Sequence, residues 1–146
     1  MNSIFATLTV ILVLNSQNMF SQKTKNYKFT DNEKVETTKQ SSTHKIVFQL
    51  TTADTLSHKA LMKQLTNIKS VAPDTKIEVV CHGPGLDMLL SNKTVVLKGI
   101  QSSKEKGVEF RACEFSIKER KLDKSNIISE AGFVAAGIIE IVTKQE

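Results

Sequence analysis

The chain has no tryptophan and a single tyrosine, and its seven phenylalanines are dispersed, so flat platforms on which bases or sugars stack are scarce. A core therefore has to come from Ile, Val and Leu, which fill the runs after His44. Only two cysteines are present, Cys81 and Cys113, and they are not in Cys-x-x-Cys spacing, which ranks a dithiol oxidoreductase last among thiol functions. The chain lacks the length and lysine of a phosphate-binding P-loop, the spacing of a dinucleotide fingerprint, a Ser-His-Asp order and a paired-carboxylate arrangement. No cofactor is implied. The longest apolar run, residues 4–14, is too short to span a bilayer.

What is present reads as one ordinary domain behind a leader. The 146 residues are 40% hydrophobic and 24% charged, enough for a single core. The apolar run at residues 4–14 is followed by polar Asn15, Ser16, Gln17 and Asn18, which predicts a signal peptide over residues 1–21 with cleavage after Ser21; an uncleaved N-terminal anchor is the competing reading. Export to the periplasm or the medium is the expectation, with no membrane attachment after cleavage. Residues 22–43 hold too few apolar side chains to offset the entropy of ordering and predict a flexible polar tether. Lys23 is the first charged side chain, so the net charge of +5 belongs to the mature chain. Its cations alternate with acids, as in Lys118, Glu119, Arg120 and Lys121, which predicts a solvated surface and no nucleic-acid partner.

Residues 44–146 alternate short apolar runs with helical periodicity. Strands are predicted at 45–50, 76–81, 108–112 and 133–135. Helices are predicted after the cap at Thr52 to Asp54, with Leu56, Ala60, Leu61, Leu65 and Ile68 as the inward stripe, and then over 86–90, 95–106, 117–122 and 138–144. His44 and His58 read as solvated. The alternation predicts an α/β fold, a three-layer α/β/α sandwich on a mainly parallel sheet of about four to five strands. Right-handed crossovers would gather Thr51, Thr52, Cys81, His82, Gly83 and Cys113 along one edge.

That edge holds the candidate chemistry. Cys113 ends a strand just before a helix, the place where α/β folds keep reactive groups; a buried, inert thiol is the alternative. Cys81, at the end of the preceding strand, is either core filler or a resolving thiol, and whether it pairs with Cys113 depends on Cα atoms coming within about 7 Å. His82 offers an imidazole that can assist a thiol, serve as a metal ligand or simply be polar, and three soft ligands without a fourth do not make a metal site. Gly83-Pro84-Gly85 is a tight turn whose amides either satisfy the turn itself or cradle an anion.

In the order and spacing of Lys45 to Thr51, Val79 to Leu86, Gly107 to Cys113 and Ala136 to Glu146, the chain resembles the DsrE/DsrF-like family of small sulfur-handling proteins, exported single-domain type. The resemblance implies a cysteine that carries sulfur as a persulfide, matched here by Cys113, together with a homo-oligomer and a partner that donates or accepts sulfur. Relatives of this type follow the cysteine with an Asn-Thr pair. This chain has Glu114 and Phe115 instead, and an acid beside a thiol predicts a raised thiol pKa, with Arg111, Lys118 and Arg120 as the cations available to offset it. The alternative function is a non-catalytic oligomeric binding module of the same fold whose thiols are structural.

Overall fold

A computed structural model describes residues 44–146. The leader and tether expected at residues 1–21 and 22–43 lie outside the described residues. The elements run β1 (Lys45–Leu50), α1 (Thr55–Val71), β2 (Lys76–Cys81), a 3₁₀ segment (Gly83–Leu89), α2 (Leu97–Glu105), β3 (Val108–Cys113), α3 (Glu114–Glu119), a 3₁₀ turn (Lys124–Asn126), β4 (Gly132–Val134) and α4 (Gly137–Gln145). The four strands form one sheet in the order β1-β2-β3-β4, every neighbour parallel. All strand ends that precede a loop or helix therefore lie along one edge, as the alternation predicts.

The register sorts the side chains. Leu50 lies opposite Cys81 and Cys81 opposite Ala112, so these three share one face, with Phe48, Val79 and Phe110 two residues back along each strand. That face packs against α1 and α2 through Leu61, Met62, Leu65 and Ile100 and forms the aliphatic core. Each fully buried side chain of this kind contributes roughly 1.5–3 kcal/mol. The other face alternates Glu78, Val80, Arg111 and Cys113, and α4 lies across β1, β2 and β3 to form the third layer.

Helix α1 starts where Asp54 accepts hydrogen bonds from the Leu56 and Ser57 amides at 3.1 and 3.0 Å. Its inward stripe is His58, Leu61, Met62 and Leu65, whereas Leu56 and Ala60 face out. The expectation that His58 is solvated is thereby corrected. Its side chain is buried because its Nε2 lies 2.8 Å from the Thr52 carbonyl oxygen, in hydrogen-bond contact, so the ring enters the core with a partner. His44, at the start of β1, is exposed. The stretch predicted as a helix at 86–90 is instead the end of the 3₁₀ segment, because the chain must turn tightly under β1 there: a side chain at Gly85 would put its Cβ 2.0 Å from the Leu50 carbonyl oxygen.

Candidate functional site

Cys113 ends β3 and immediately precedes α3, on the face covered by α4. The Gly137 amide, the first of α4, donates to its Sγ at 3.2 Å. The approach is close: a Cβ on residue 137 would meet Val80, His82 and Cys113 side-chain carbons at 3.2 to 3.4 Å, so glycine lets the helix start settle on the sulfur without displacing them. The contact is braced from both sides, because Val134 is in register with Cys113 and the Ala135 carbonyl accepts from the Phe115 amide at 3.2 Å.

Two opposing influences act on this thiol. Burial pushes its pKa up, but the Ser116 amide and hydroxyl and the Gly137 and Phe115 amides stabilise the thiolate, and the balance lies below the ordinary value. The raised thiol pKa expected from Glu114 is not the net outcome. The Glu114 carboxylate turns to Lys124, 2.5 Å away, so the offsetting cation is none of those anticipated. Arg111 is engaged by Glu78 and Glu109, and Arg120 by Asp87 at 2.6 Å.

The turn at Gly83-Pro84-Gly85 serves this neighbourhood from within. Gly83 sits at φ +52°, which favours glycine, and its amide donates to Ser116 Oγ at 2.8 Å while its carbonyl accepts from Arg120 at 2.8 Å. The Gly85 amide donates to the His82 carbonyl at 3.0 Å. Both glycine amides are thus spent inside the fold, which leaves neither to cradle an anion. Asp87 anchors the far end. Burial pushes its carboxyl up, but Arg120 and Lys93 outweigh this and hold it below the usual carboxylate range.

His82 follows β2 on the same side as Val80, with its Cβ close to Gly137 as Cys113 is. Its Nε2 lies 2.7 Å from the Gln49 side-chain nitrogen, and among the described residues no hydrogen bond joins it to Cys113. Cys81 goes the other way. It is fully buried on the aliphatic face, where the lack of polar neighbours pushes its thiol far up, and both cysteines are free. The sheet itself separates Cys81 from Cys113, so the structure does not bring the pair together as attacking and resolving thiols. Among the described residues no three His, Cys, Asp or Glu side chains gather as metal ligands.

Reading the sequence alone missed Ser116, Gly137 and Ala135. Two signals were available: a hydroxyl three residues after a cysteine at a helix start, and a glycine opening the last helix.

The model of the DsrE/DsrF-like family matches residues 44–146. A solved structure of MTH1491, a protein of unknown function from Methanobacterium thermoautotrophicum, is similar in fold, with a TM-score of 0.66 and 22% sequence identity over 70% of this chain and 91% of that one. No curated protein matches the chain.

Proposed function

The chain belongs to the DsrE/DsrF-like family, and on that premise we propose that it is an exported sulfane-sulfur carrier that holds sulfur as a persulfide on Cys113. The observation that carries this reading is the Cys113 thiol itself, drawn below its ordinary pKa by amides and a hydroxyl despite being buried. In the step proposed, the Cys113 thiolate attacks the outer sulfur of a donor such as thiosulfate or a persulfide. A sulfur–sulfur bond forms on Cys113, the donor's own bond breaks, and its electron pair leaves with sulfite or a thiolate, so no external oxidant is required. An acceptor thiolate then takes the outer sulfur and Cys113 departs as thiolate, a departure that a low pKa favours. Export is supported by the apolar run at residues 4–14, and self-association by the exposed Phe115, Ile139 and Val142.

Intact mass after incubation with a sulfur donor tests the reading. The parent is expected to gain about 32 Da per sulfur atom, reversibly with reductant, and the Cys113→Ser variant to gain nothing. Equal uptake by the variant overturns it. One observation favours the second reading, a binding module with structural thiols: Cys113 is only 4% exposed. Under that reading neither protein gains mass.

A further inference from the structure

A thiol that is 4% exposed meets a reagent only when something above it moves, and what lies on Cys113 is the first residue of α4. The chain just before that point is fixed by the pairing of Val134 with Cys113 and by the bond from the Phe115 amide to Ala135. Beyond Ala136 the hold changes character. The helix positions that share Gly137's face are Glu140, Ile141 and Lys144, and Gly137 alone among the helix residues is buried. The more apolar side, Ile138, Ile139 and Val142, is 46 to 64% exposed.

Little aliphatic surface therefore binds α4 to the sheet, and its far end is tied by charge. Lys144 Nζ lies 3.2 Å from Glu78 Oε2 and 3.4 Å from Glu140 Oε1. Glu78 is buried, with Oε1 lacking a hydrogen-bond partner, and so is the neighbouring Arg111 Nε, 3.6 Å from Glu78 Oε2. Buried polar atoms ordinarily find a partner, and these two do not find one beneath α4.

We propose that α4 is a hinged lid over Cys113, pivoting at Ala136 so that Gly137 lifts with the helix, and latched at its far end by the ion pair of Lys144 with Glu78. Closed, the lid sets the Gly137 amide on the sulfur. Open, it exposes the sulfur to a donor or acceptor. The inference deepens the carrier reading and rests on Cys113 as its reactive group.

The test is alkylation of Cys113 in the full chain by iodoacetamide, which is uncharged, with peptide mass mapping to separate it from Cys81 and thermal unfolding to monitor the fold. Lys144→Met is expected to alkylate about fivefold faster at Cys113 or more, with Cys81 still unmodified and the unfolding midpoint retained. In the parent the rate should rise with added salt, which screens the latch, and in Lys144→Met that salt dependence should be lost. Lys144→Arg is expected to restore the slow rate. A parental rate in Lys144→Met, or an acceleration shared equally by Cys81, overturns the lid. Sulfur uptake is not read in this assay, so a failed latch and a failed persulfide are told apart.

Discussion

Cys81 and Cys113 end adjacent strands of one sheet, yet they face opposite layers and have opposite character. On the α1 and α2 side, Cys81 is enclosed by aliphatic neighbours, and burial alone drives its thiol toward the neutral form. On the α4 side, Cys113 is nearly as inaccessible but has amides and a hydroxyl around it, and these outweigh burial. Surface exposure alone therefore does not separate the two thiols. They are separated by how deeply each lies in carbon and by whether the covering layer presents backbone donors, because a thiolate is stabilised by hydrogen-bond donors and not by apolar packing.

The comparison makes the aliphatic face the source of stability and the α4 face the one that lowers a thiol pKa, and the sharpest way to break it is a core truncation. Phe110→Ala on the aliphatic side is expected to cost about 3–5 kcal/mol in denaturant unfolding. A loss under about 1 kcal/mol would mean that this face does not dominate the fold.

A subtler effect comes from pH. The native pKa of Cys113 is depressed, so its contribution to stability is full above the unfolded thiol value of about 8.5 and is lost as pH falls through the lower native value. For Cys81 the native value is raised, so its contribution is full below about 8.5 and is lost as pH rises beyond it. Chemical denaturation across this range should show Cys113→Ser removing the fall in stability on the acid side and Cys81→Ala removing the fall on the alkaline side. Identical pH profiles for the two variants would erase the distinction between the faces.

The smallest expected effect concerns Ser116. Ser116→Ala should raise the Cys113 pKa, read by thiolate absorbance, and cost on the order of 1 kcal/mol through the hydroxyl's lost partners, the Gly83 amide among them. Ser116→Thr should restore the pKa. An unchanged titration in Ser116→Ala would leave the amides as sufficient.

Much of the layout was legible in the chain because hydropathy period is a local property. β1 and β2 run over the residues predicted, and β3 and α4 differ from expectation only at their ends. Errors arose where a polar residue's partner is distant or unexpected. His58 was placed outside because periodicity counted it as polar, whereas a carbonyl six residues away satisfies it. Glu114 was expected to raise the Cys113 pKa because its neighbours in sequence are visible and Lys124, ten residues on, is not.

The sequence by itself determined the order of strands and helices, the parallel α/β class and the edge on which Cys81, His82, Gly83 and Cys113 end up. Only the tertiary structure decided that Cys81 and Cys113 are back to back, that the glycine turn spends its amides internally, and that α4 lies on the thiol. The reason is physical: the period of side chains is written along one strand, but register across strands and the layer above them arise only when distant segments pack.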